Sequence, residues 1–141
     1  MSAGTQYLLD TNVLSETRRQ QPDPNVLSFL RKAGNSNLFL SVLVLGELRK
    51  GVALKGRSDA VAARLIGAWV DGIELSFAHR ILGIDAATSR LWGEWSAQRP
   101  RPVVETLLAA TAYAHGFTLA TRKTRDVSDL PILHLDPWLP G

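Results

Sequence analysis

A chain of 141 residues, 45% of them hydrophobic, has enough apolar material for one packed domain spanning residues 1–141. The absence of cysteine excludes disulfides and thiolate metal centres. No apolar run approaches the ~20 residues of a membrane helix, and no secretory signal pattern opens the chain, so a cytoplasmic protein without membrane contact is expected. A net charge of +3 permits nucleic-acid binding without requiring it.

In chain order, residues 6–9 read as a short buried strand and 11–17 as the helix that follows. "QQPDPN" (20–25) is a turn, because its two prolines forbid a continuing helix. Asn25 is the expected N-cap of a helix over 26–32. "LFLS" (38–41) is a second strand, and Ser41 caps a helix from Val42 to about Leu54. Residues 59–70 are helical by period and alanine content. "RILGI" (80–84) is a third strand, and Asp85 caps a helix over 86–98 that "RPRP" ends. A further helix runs over 103–115, with Pro102 near its first turn and Gly116 at its end. "FTLAT" (117–121) and "ILHL" (132–135) complete five strands.

Short apolar strands alternating with helices predict an α/β domain with a parallel sheet. In such sheets the functional crevice lies beyond the C-terminal strand ends, near a switch in strand order. Asp10 ends the first strand, Thr121 the fourth, Asp126 follows shortly after, and Glu47 lies on the helix leaving the second strand.

Asp10, Glu47, Glu105 and Asp126 each stand beside a predicted strand end or in an apolar-flanked helix. Burying unpaired carboxylates is costly, and converging carboxylates oppose one another's ionisation. A divalent cation relieves both effects, and all-oxygen donors favour Mg²⁺ or Mn²⁺ over Zn²⁺. Each acid also has a plainer explanation. Asp10 can cap the helix from Thr11, Glu105 can complement a helix dipole, Glu47 can pair with Arg49 or Lys50, and Asp126 can be an ordinary loop acid beside Asp129. Only the joint arrangement points to a metal site.

Arg18, Arg19, Arg49, Lys50, Arg122, Lys123 and Arg125 lie near these positions in sequence and can hold a phosphate backbone or simply be solvated. Arg122 and Arg125 bracket the exit of the fourth strand. His79, His115 and His134 occur singly and read as surface or cap residues. Trp69, Trp92, Trp95 and Trp138 read as packing residues of the core or of a dimer interface.

The segments "YLLDTNVLSE" (7–16), "LSVLVLGELRKG" (40–51), "ETLLAATAYAHGFTLATR" (105–122), "RD" (125–126) and "DPW" (136–138) resemble, in order and spacing, the PIN-domain ribonucleases, specifically the VapC toxins of bacterial toxin–antitoxin pairs. The resemblance implies a three-layer α/β sandwich around a central parallel five-stranded sheet. It implies a metal-dependent endoribonuclease using Mg²⁺ or Mn²⁺, with Asp10, Glu47, Glu105 and Asp126 as acidic ligands and Asn12 and Thr121 supporting them. Arg122, Lys123 and Arg125 become candidate RNA contacts. The resemblance also implies a homodimer, neutralisation by a VapB-type antitoxin, and DNA binding only through that antitoxin.

Two residues depart from the family pattern. Glu105 stands where the third acid is usually Asp, and Lys123 stands where "TRN" is frequent. Lys123 can compete with a metal, pair with Glu105 or Asp126, contact a phosphate, or point to water. A second reading is therefore a catalytically weakened module that binds RNA or a protein partner. A third, phosphoryl transfer through Asp10, lacks the second aspartate that phosphatases carry two residues on, where Asn12 stands.

Overall fold

The computed structural model of the chain describes residues 4–141. Its central strand is β1 (Tyr7–Leu9). Successive strand residues point to opposite faces of a sheet, and Leu8 and Leu9 are both fully buried. Both faces are therefore covered by helices, which explains the unbroken apolar run of this strand. Burying each leucine contributes about 1.5–3 kcal/mol before entropy is set against it.

Strands β2 (Leu38–Ser41) and β4 (Thr118–Ala120) flank β1, while β3 (Ile81–Leu82) and β5 (His134–Leu135) form the edges. All pairings are parallel and the order is β3-β2-β1-β4-β5. The register sets Leu8 opposite Phe39 on one side and Leu119 on the other. The chain thus builds outward from β1 on one side, then returns to build outward on the other. That reversal makes the β1–β4 junction the switch point of the sheet.

Six helices connect the strands: α1 (Thr11–Thr17), α2 (Pro24–Ala33), α3 (Val42–Gly56), α4 (Ala60–Ser76), α5 (Ala86–Gln98) and α6 (Val103–His115). Helix α3 packs along α4, and α5 along α6. Small residues of α6, Ala109, Ala110 and Ala112, are fully buried, so this helix lies close against β1 and β4. It ends at Gly116, whose φ of 70° only glycine adopts without strain. The Phe117 and Gly116 amides turn back to the Ala112 and Tyr113 carbonyls at 2.8 and 3.2 Å, closing the helix and aiming the chain into β4.

The architecture is the expected three-layer α/β sandwich, with differences at the boundaries. Asn25 is not a cap. Asp23 is, its Oδ1 accepting from the Asn25 amide at 2.8 Å, and Pro24 opens the helix, where its missing N–H costs nothing. Asn25 instead donates to the Trp138 carbonyl at 2.8 Å and ties down the C-terminal segment. Asp59 caps α4 rather than belonging to it, and α4 runs on to Ser76. The edge strands are two residues each, because each has one neighbour to sustain its ladder. His134 is a half-buried strand residue rather than a surface or cap residue. Trp95 is buried in the core, and Trp69, Trp92 and Trp138 pack against it. No helix among the described residues is long and apolar enough to cross a membrane.

Candidate active site

The site starts with two backbone bonds. The Asp10 amide donates to the Ala120 carbonyl at 3.0 Å, one rung beyond β1, and the Thr121 amide donates to the Leu135 carbonyl at 3.0 Å, one rung beyond β4. Both residues are therefore fixed by the ladder at the switch point, side by side. The Thr121 hydroxyl donates to Asp10 Oδ2 at 2.7 Å. The other oxygen, Oδ1, accepts from the Thr11 amide at 2.7 Å, so Asp10 also caps α1.

Asn12 donates through Nδ2 to Asp10 Oδ2 at 3.3 Å, while its Oδ1 is buried with no hydrogen-bond partner. Helix α3 brings Glu47, whose Oε1 accepts from the Thr11 hydroxyl in a short hydrogen bond. Thr11 thus bridges two acids, with its amide on Asp10 and its hydroxyl on Glu47. The first turn of α6 carries Glu105. Its Oε1 accepts from Lys123 Nζ at 2.9 Å. The Lys123 amide donates to the Thr121 hydroxyl oxygen at 2.9 Å.

Asp10 is 5% exposed. Burial pushes its carboxyl above the ordinary range, against the opposing pull of the Thr121 and Thr11 hydrogen bonds and the Lys123 charge; the Glu105 charge adds to the rise. The hydrogen bond to Glu105 holds the Lys123 ammonium above its ordinary range despite some burial, and the charges of Glu105, Asp10 and Glu47 add to that. One ammonium therefore senses three carboxylates delivered by β1, α3 and α6.

Of the four acids singled out from sequence, Asp10, Glu47 and Glu105 share this electrostatic field. Asp126 stands half-buried on the 3₁₀ turn after β4, and its charge is felt by Arg99. Among the described residues no hydrogen bond joins it to the other three. Arg49 lies away from the cluster, bridging Asp71 and Glu74 of α4 at 2.7 Å each, so it does not pair with Glu47. The Arg122 guanidinium lies 4.4 Å over the Trp138 ring.

Two residues that matter here do not stand out in the sequence. Thr11 and Glu16 both lie in the 7–16 segment that carries the family resemblance, but neither has a role assigned from sequence. Glu16 is 5% exposed, and its Oε2 accepts from the Asp23 amide at 2.8 Å, which holds the turn between α1 and α2.

The donor set around Asp10 is entirely oxygen, which suits Mg²⁺ or Mn²⁺. As the side chains stand, no three acidic or histidine groups among the described residues converge closely enough to cage an ion. Two observations nevertheless fit a cation site: the partnerless Asn12 Oδ1 beside Asp10, and an ammonium already drawn into the shared field. A cleft of about 320 Å³ adjoins Glu47 and Thr11, floored by Ile66 and Trp69 and rimmed by Arg18, Arg19 and Lys55. A larger cavity of about 730 Å³ between α2 and the C-terminal segment is lined by none of the four acids.

Comparison with known proteins identifies the family to which the fold belongs. The PIN domain family profile matches residues 7–131. The VapC ribonuclease Y4jK of Sinorhizobium fredii is 33% identical over 142 residues, covering 95% of this chain and 99% of the relative. The toxin FitB of Neisseria gonorrhoeae is 31% identical over 138 residues, covering 93% and 97%. The crystal structure of FitAcB from Neisseria gonorrhoeae superposes with a TM-score of 0.85 at 29% identity, covering 94% of this chain and 99% of that one. With a family profile spanning most of its length and relatives matched nearly end to end, the chain belongs to the PIN-domain family, among its VapC-type members.

Proposed function

We propose that this protein is an endoribonuclease of the VapC type, the toxin half of a toxin–antitoxin pair, hydrolysing RNA phosphodiesters with a bound Mg²⁺ or Mn²⁺. The observation that carries the reading is Thr11 holding two acids at the switch point of the sheet, its amide on Asp10 and its hydroxyl on Glu47, with Glu105 paired to Lys123 beside them. Asp10 is the central ligand, with Glu47 and Glu105 beside it, Asp126 orienting water from the adjoining turn, and Asn12 and Thr121 supporting Asp10. A divalent ion bound by these residues would supply Lewis-acid activation of water and charge neutralisation at the phosphate.

The residues of the chain do the rest. Thr121 and the Thr11 amide hold Asp10 in one orientation, and Thr11 holds Glu47 toward it. Arg122, Lys123 and Arg125, on the segment leaving β4, meet the RNA backbone, and the basic rim of the cleft beside Glu47 extends that surface. An antitoxin of the VapB type restrains the activity, and contact with DNA is made through that partner. The likeness to the toxin FitB, and to the structure of FitAB bound to a DNA fragment (TM-score 0.81, 29% identity), supports this part of the reading.

Expression of wild type and Asp10→Ala in bacteria, with sequencing of newly formed RNA 5′ ends, tests the proposal. Growth arrest and new 5′-phosphate ends are expected for the wild type alone. Equal growth and identical ends overturn it, and 2′,3′-cyclic phosphate products overturn the metal-assisted hydrolysis.

The Lys123–Glu105 pair favours one alternative, a weakened PIN-fold module that binds RNA or a partner without cutting. Mn²⁺ titration by calorimetry separates the two, since binding lost in Asp10→Ala belongs to the enzyme, and no binding in either protein belongs to the module.

A further inference from the structure

We infer that Lys123 is a resident counter-ion of the acidic cluster, competing with the divalent cation for Glu105 and so weakening metal affinity in this protein; this rests on the metal-dependent reading above. The geometry is specific. The Lys123 backbone is anchored by its amide to the Thr121 hydroxyl at 2.9 Å, and that hydroxyl donates to Asp10 at 2.7 Å. The root of the lysine is thereby locked to the central acid, and its ammonium reaches Glu105 at 2.9 Å.

Glu105 is 15% exposed and Lys123 54% exposed. A carboxylate so enclosed, close enough to Asp10 to disfavour its ionisation, needs a positive partner. In the metal-free protein Lys123 supplies one. An ion that takes Glu105 as a ligand either shares the carboxylate with the ammonium, which holds Oε1, or displaces it, and in both cases works against its positive charge. The two cations therefore oppose each other at this carboxylate, and the lysine lowers apparent metal affinity while steadying the metal-free fold. Because the lysine side chain is about half exposed, the pair is of the weak surface kind, and its removal is worth about two- to fivefold in affinity rather than orders of magnitude.

The test is Mn²⁺ calorimetry and thermal melting, with and without Mn²⁺, on wild type, Lys123→Met, Lys123→Arg and Asp10→Asn. Lys123→Met keeps the length and removes the charge. It is expected to bind Mn²⁺ about two- to fivefold more tightly, to melt lower without metal, and to gain more from metal than wild type does. Lys123→Arg keeps the charge and is expected to stay near wild type on all three readouts. Asp10-dependent Mn²⁺ binding in wild type, with Lys123→Met binding equally or less tightly, overturns the competition. No Asp10-dependent binding in either wild type or Lys123→Met overturns the metal-dependent reading itself.

Discussion

The Thr121 hydroxyl donates to Asp10 Oδ2 at 2.7 Å across 111 residues of sequence, and the Thr121 hydroxyl oxygen in turn accepts from the Lys123 amide. One small side chain therefore orients the buried acid of β1 and positions the lysine that pairs with Glu105. Thr121→Val keeps the shape and removes both bonds. It is expected to destabilise the protein by about 1–3 kcal/mol, the usual cost of stranding a buried partner, and to weaken Mn²⁺ binding about tenfold. Thr121→Ser restores both. Calorimetry and melting curves check this, and a valine variant with unaltered Mn²⁺ affinity shows that Thr121 does not position the site.

The acids differ in their surroundings, so their amide variants should differ in effect. Asp10→Asn is expected to abolish cleavage of an RNA substrate and any stabilisation by Mn²⁺. Glu47→Gln and Glu105→Gln are expected to lower the cleavage rate about 100-fold, near 2.7 kcal/mol of barrier. Asp126→Asn, whose charge is felt by Arg99 rather than by Asp10, is expected to cost about tenfold or less. Single-turnover rates on the four variants give the ranking, and Asp126→Asn as damaging as Asp10→Asn contradicts it.

RNA binding by Arg122 and Arg125 carries a salt signature. Removing one arginine–phosphate pair should reduce the slope of log affinity against log salt by about 0.7 on a single strand. Arg122→Ala also removes the stacking on Trp138, so a small drop in melting temperature, from about 0.5–1 kcal/mol, is expected with it. Arg125→Ala is expected to leave the melting temperature alone. Filter binding of catalytically silent Asp10→Asn protein across a salt series measures the slope. An unchanged slope in the double alanine variant assigns both arginines to structure alone.

Asp129 provides a pH-dependent prediction away from the site. Arg99 donates to both of its oxygens at 3.0 and 3.1 Å and Arg101 to one at 3.0 Å, and these hydrogen bonds hold its carboxyl far below the ordinary range. The Arg101 side chain is 1% exposed, and it also donates to the Trp95 carbonyl. Because the folded value is depressed, the stabilisation is full above the unfolded value, about 3.9, and fades as pH falls toward the folded one. Asp129→Asn should therefore melt below wild type by a constant margin from pH 6 to 8, and the margin should close under acid. A margin that persists unchanged at about pH 2 contradicts an ion-pair origin.

The local features of the chain were legible before folding was considered. Helices over 11–17, 86–98 and 103–115, the caps Ser41 and Asp85, and the glycine stop at 116 follow from interactions within a few residues, and the structure agrees with each. Asn25 reads as a cap because two nearby prolines look like a break, whereas Asp23-Pro24 is a helix start. The apolar run before Asp10 and its alternation with helices were enough for the parallel α/β fold.

Which side chains meet was settled by packing in three dimensions. The β1–β4 adjacency is a property of strand order, set by burial of both sheet faces rather than by any local pattern, and it alone places Thr121 on Asp10. From sequence Lys123 has four possible fates; packing of the first turn of α6 against the β4 exit selects Glu105. Among the described residues, Glu47 is joined to Asp10 through Thr11, and Arg49, two residues away, is drawn to α4 by two acids that no spacing rule on α3 reveals. Charge selects its partners through space, and chain separation bears little on that choice once the sheet has closed the distance.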